Sequence, residues 1–120
     1  MCEISQRHQA VVYGDGVDPS HIHTYTWAWM PHIFIPDVSF YNFPYAFGIL
    51  FSLGLYAQYQ QRGNSFIPDY EALLASTGEE MPSKLATRFG INLDDPSFWR
   101  ASLGLIEKRI QRFQELCQIK

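Results

Sequence analysis

Cysteine is almost missing from this chain: Cys2 and Cys117 stand near opposite ends of 120 residues. With no CxxC pair and no disulfide-framework density, they read as two ordinary thiols, and the expected compartment is a reducing cytoplasm. Positive charge is sparse too. The 9 Lys and Arg against 12 Asp and Glu give a formal charge of -3, and the basic residues are scattered or interleaved with acids, so there is no basic face or stripe for nucleic acid. The start, "MCEISQRHQA", has no apolar segment behind a positive end and does not read as a secretory signal. Strand alternation of useful length, low-complexity tracts and internal repeats are lacking, which leaves an all-α class with an irregular, aromatic N-terminal third.

Recognised catalytic and metal motifs are missing as well. There is no HExxH, no EF-hand loop and no serine in a nucleophile-elbow context. His21 and His23 lie two apart and share a side only in extended chain, and no third ligand follows at a recognised spacing, so no metal site is expected within this chain. Gly14 and Gly16 imitate a phosphate loop only superficially, since acids flank them and no Lys-Ser/Thr follows.

What the chain does contain is apolar and aromatic sequence, 47% and 16% of it, enough for one core and one domain. "YGDGVDPS" is a turn-rich loop, and an ordered helix is not expected after Val12. From His21 to Ser39, Pro31 and Pro36 interrupt aromatic and β-branched residues and favour irregular chain. A helix is predicted from about Pro44, suited to a first turn, to Arg62, with Gly63 as its stop. Its apolar run, "FPYAFGILFSLGLYA", covers about 15 residues where a membrane span needs roughly 20, so a buried core helix is expected and no membrane partner. Gly48, Ser52 and Gly54 leave shallow places where another helix can approach closely.

Two short helices follow: "SFIPDYEALLASTG", with Ser65 as N-cap and Gly78 as stop, and "PSKLATRFG", from Pro82 to Gly90. The last helix is expected to be capped by Asp95 and opened by Pro96. Trp99, Leu103, Ile106, Ile110, Phe113 and Cys117 form one apolar stripe along it.

One stretch invites a functional reading, "PHIFIPDVSFYNFPY", with His32, Tyr41 and Tyr45 just before and within the first turn of the central helix. Phenolic O-H and imidazole N-H donors near a helix N-terminus are what a developing oxyanion needs. The competing reading is structural, because a buried tyrosine with a bonded hydroxyl is commonplace.

The block "SFYNFPYAFGILFSLGLYAQYQ", with "YGD", "IH", "YTWAW" and "PH" before it and "YEALLASTG", "LATRFGI" and "DPSFWRASLGLIEKRIQRF" after it, resembles the C-terminal end of the oligoendopeptidase F family of zinc metallopeptidases, over roughly residues 7 to 117. The resemblance implies an α-helical peptidase with a deep channel, in which an HExxH helix and a downstream Glu hold zinc and the motif's Glu is the general base. A histidine and tyrosines of this C-terminal region would line the channel opposite the metal, bind short peptides and stabilise the tetrahedral intermediate. Carried over, His32 matches the family's Pro-His histidine, and Tyr41 and Tyr45 match the tyrosines of its "FYxxxYxxG"-like block. His23 matches a histidine before the Tyr-x-Trp step and is assigned to substrate binding with His32 and Tyr41. Thr24, Thr26 and Met30 depart from the residues usual at their positions.

The large departure is the absence of HExxH. Residues 1 to 120 are therefore expected to be one C-terminal helical segment whose zinc-binding half lies upstream of Met1. Zinc belongs to the full-length family and no cofactor to this chain. Nothing here can lower the pKa of a metal-bound water from 15.7 towards ~7, so no hydrolysis is expected from this chain alone. The expected partners are a short peptide substrate and either the missing catalytic half or a homo-oligomer. Two alternatives stand beside this: a non-catalytic helical peptide-binding module, and a non-functional remnant with exposed apolar surface.

Overall fold

The computed structural model describes residues 1 to 118. They are helical, and among them no strand occurs. Six α-helices follow in chain order: α1 (Cys2–Tyr13), α2 (Thr26–Trp29), α3 (Phe43–Arg62), α4 (Ile67–Ala75), α5 (Pro82–Arg88) and α6 (Pro96–Gln118). The all-α class read from the sequence is the class observed. No helix among the described residues is long and apolar enough to cross a membrane.

The chain divides into two compact units, Met1–Pro44 and a second beginning at Tyr45. In the first, α1 ends one residue beyond the expected limit, where Gly14 takes a positive φ of 54° and its N-H reaches the Ala10 carbonyl. Short 3-10 turns at Pro19–His21 and Pro31–Ile33 bracket the single turn of α2. Asp18 holds the first of these turns by accepting from the Ser20 N-H at 2.9 Å and the Ser20 hydroxyl at 2.7 Å. Gln6 and Gln9 of α1 tie back the chain before α2, donating to Thr24 Oγ1 at 2.9 Å and to the His23 carbonyl at 3.2 Å. No residue of this unit is fully buried.

The second unit has a core. Leu55 of α3, Leu73 of α4, Leu85 and Ala86 of α5, and Phe98 of α6 are buried together, joined by Phe66 and Ile91 from the connections. The predicted close approach on α3 occurs at Gly54, where an added Cβ would run into the Phe98 ring; Gly48 has open space beside it. Four residues along α6 from Phe98, the buried Ser102 donates its hydroxyl to the Leu50 carbonyl of α3 at 2.7 Å.

Helix ends mostly follow the expected residues. Gly63, Gly78 and Gly90 adopt positive φ at 61°, 92° and 72°, the backbone region where only glycine escapes a Cβ penalty. Asp95 accepts from the Ser97 N-H at 2.8 Å at the start of α6, and that bond, with the Ser97 side chain second, holds its carboxyl below the usual carboxylate range. Ser65 does not cap α4. The 3-10 turn Gly63–Phe66 runs directly into that helix, so residues 62 to 66 are already turned, and the Ser65 hydroxyl donates back to the Arg62 carbonyl at 2.8 Å.

The apolar stripe on α6 meets the core only at its start. Trp99 packs edge-on against Phe98, with ring centroids 5.1 Å apart, and anchors its indole N-H on the Leu93 carbonyl at 2.8 Å. Leu103, Ile110, Phe113 and Cys117 are exposed, Phe113 at 66%. The buried positions of α6 are Phe98 and Ser102, one helical step to the side of the stripe.

Candidate functional site

The segment Met30 to Asn42 is a closed loop, and its closure follows from its sequence. Pro31 fixes φ at the first position of a 3-10 turn. Pro36 prevents a helix from continuing, and the chain reverses so that the Tyr41 N-H donates to the His32 carbonyl at 2.8 Å and the Phe40 N-H to the Ile33 carbonyl at 3.4 Å. His32 and Tyr41, nine positions apart, are thereby held side by side at the backbone.

The reversal needs two residues with positive φ, Asp37 at 67° and Phe40 at 61°. Asp tolerates that region; for a bulky aromatic residue it is an outlier costing about 1 to 2 kcal/mol. Strain of this kind is concentrated in loops that hold functional side chains, and here it directly precedes Tyr41.

The His32 side chain is partly buried, and Tyr41 is 41% exposed with its ring edge-on to Phe43, centroids 6.3 Å apart. His23 lies on the surface beside Thr26, whose hydroxyl donates to the His23 carbonyl at 3.0 Å and approaches its ring Nδ1 at 3.4 Å. Tyr45, in the first turn of α3, opens the second unit and is 57% exposed. Loop closure thus joins His32 and Tyr41, whereas His23 stands apart on the α1-to-α2 connection.

One residue near this loop was not singled out from the sequence. Trp27 packs its ring at 58° to Phe34, centroids 6.3 Å apart, and its buried Nε1 has no hydrogen-bond acceptor among the described residues. A buried indole N-H normally finds a partner. The "WAW" pattern marks the aromatic density but cannot tell which ring turns inward.

Among the described residues no three His, Cys, Asp or Glu side chains converge as a metal site. What the loop offers is hydrogen-bond donors and acceptors on a constrained backbone. No family model, curated protein or solved structure matches the chain.

Proposed function

We propose that this chain is the C-terminal part of a zinc-dependent oligopeptidase of the oligoendopeptidase F type, acting on short peptides in the cytoplasm together with an HExxH-bearing half. The observation that carries the reading is the closed 32–41 loop. Its hydrogen bond between the Tyr41 N-H and the His32 carbonyl fixes side by side two of the residues that the family resemblance assigns to peptide and transition-state binding. The strained Phe40 supports it, since backbone strain needs surroundings that over-determine it.

In this reading His32 and Tyr41 bind the peptide, and Tyr45, in the first turn of α3, donates its phenolic hydrogen to the oxyanion that forms at the scissile carbonyl. Fixed donors aimed at developing charge lower a barrier by about 3 to 4 kcal/mol each. The zinc and the general base belong to the other half.

The test is complementation. The chain is mixed or co-expressed with an HExxH-bearing half, supplied with zinc, and assayed on a quenched fluorescent peptide of fewer than about ten residues. Cleavage is expected from the mixture and from neither part alone, with Tyr45→Phe lowering kcat by about a hundredfold or more. Absence of cleavage in the mixture, or an undiminished Tyr45→Phe rate, rejects the reading. Peptide binding without cleavage points instead to a non-catalytic peptide-binding module.

A further inference from the structure

A concavity of the second unit is lined by none of the residues of the 32–41 loop. It is a half-open groove of about 760 Å³ between α3 on one side and α4 and α5 on the other. Along α3 its wall is built from Phe47, Phe51, Leu55 and Tyr59, one residue per turn over three turns, or about 18 Å of helix. Phe66, Leu73 and Leu85 are buried and form its floor, while Tyr70 and Leu74 of α4 stand opposite α3 and are partly exposed.

Two properties define what fits. The first is shape: a trough three turns long between helices takes the apolar face of one more helix, read as anchors at i, i+3, i+4 and i+7. The second is charge. Among the described residues, the charged ones lining the groove are Glu71 and Glu80, with no Lys, Arg or His beside them. Tyr56 and Tyr59 on its rim present their rings as a pair, centroids 6.1 Å apart, and aromatic faces attract cations.

We propose that this groove seats a basic amphipathic helix of about three turns, supplied by a partner polypeptide. Its apolar face fills the trough, and its Lys or Arg side chains reach Glu71, Glu80 and the tyrosine rim. The exposed apolar helix of a second copy is a poorer match. On α6, Glu107 and Arg109 flank the Leu103, Ile110 and Phe113 stripe on opposite sides while Lys108 and Arg112 lie on the far face, so that helix brings a mixed border to the groove and not a basic one. The inference is independent of the peptidase reading, since none of its residues is assigned to peptide hydrolysis.

The test uses the full chain and two labelled probe peptides of about 12 residues with identical Leu and Phe anchors, one carrying Lys at the flanking positions and one Glu. Fluorescence anisotropy is expected to show the Lys peptide binding at least tenfold more tightly than the Glu peptide. The surface pair Glu71→Gln with Glu80→Gln should remove that preference, and Leu74→Lys should weaken the Lys peptide at least tenfold, with circular dichroism confirming an unchanged fold in each variant. Equal binding of the two peptides overturns the proposal, as does indifference to the groove variants. Self-association that sedimentation shows to occlude the groove would overturn it in favour of a second copy.

Discussion

Both units of this chain expose aromatic residues, but only the second also buries some. Beyond Tyr45, Phe66 and Phe98 are buried in a common core with four aliphatic side chains and Ala86, and Phe51 and Trp99 pack against it. Before it, Tyr25, Trp29, Phe34, Phe40, Tyr41 and Phe43 are all exposed, and no residue is fully buried. The first unit keeps its shape through local devices: the Asp18 turn, the glutamine ties from α1 and the closed 32–41 loop. The second unit draws its stability from burial, and the first from hydrogen bonds and backbone geometry.

That contrast breaks most sharply at Phe98. Truncation to Ala removes the ring that meets Gly54, Phe51 and Trp99, and is expected to lower the unfolding free energy by about 3 to 5 kcal/mol in urea denaturation followed by circular dichroism. The comparable change in the first unit, Phe34→Ala, removes a half-exposed ring and should have a much smaller effect. Gly54→Ala tests the same contact from the other side. The added methyl meets the Phe98 ring, so a loss of about 1 to 3 kcal/mol is expected by overpacking, while Gly48→Ala, facing open space, should stabilise α3 by up to about 1 kcal/mol.

The first unit should respond to backbone changes instead. Phe40→Gly relieves a positive φ, and a gain of about 1 kcal/mol in loop stability is expected, read as slower hydrogen exchange of the Tyr41 amide that bonds the His32 carbonyl. An unchanged or faster exchange rate there would show that the Phe40 side chain, not the turn geometry, holds the loop. The smallest effect belongs to the α6 cap. Asp95 has its folded pKa depressed, first by the Ser97 N-H. Its contribution to stability is therefore complete above the ordinary value of 3.8 and is lost as pH falls through the lower folded value. Asp95→Asn, which keeps an acceptor but cannot titrate, should show a shallower fall in Tm below about pH 4 than the parent chain, with little difference at neutral pH.

Much of the fold was legible because its stops and starts are chemical. Pro96 and Asp95 open α6, Pro82 opens α5, and glycines at 63, 78 and 90 take backbone conformations that other residues avoid. The capping role expected of Ser65 failed because the preceding residues were already in a 3-10 turn, a continuation that no single residue signals. In the 32–41 loop, residue types suggested polar tips. The pairing of His32 with Tyr41 across nine positions depends on a reversal through Asp37 and Phe40, and nothing in an aromatic such as Phe40 announces a left-handed backbone.

The sequence by itself determined the helical class, the bounds of α3 and α5 and the start of α6, and the lack of a metal-binding motif, because periodicity, proline, glycine and ligand spacing act locally. Only the tertiary structure decided which side of each helix is inside. On α6 the apolar stripe points to Trp99, Leu103 and Phe113, yet the buried positions are Phe98 and a serine. Ser102 can be buried because the Leu50 carbonyl lies 2.7 Å away to accept its hydrogen, and Phe98 can enter because Gly54 has no side chain to stop it. Both conditions are met by residues about 50 positions distant, beyond the reach of any pattern read along one helix.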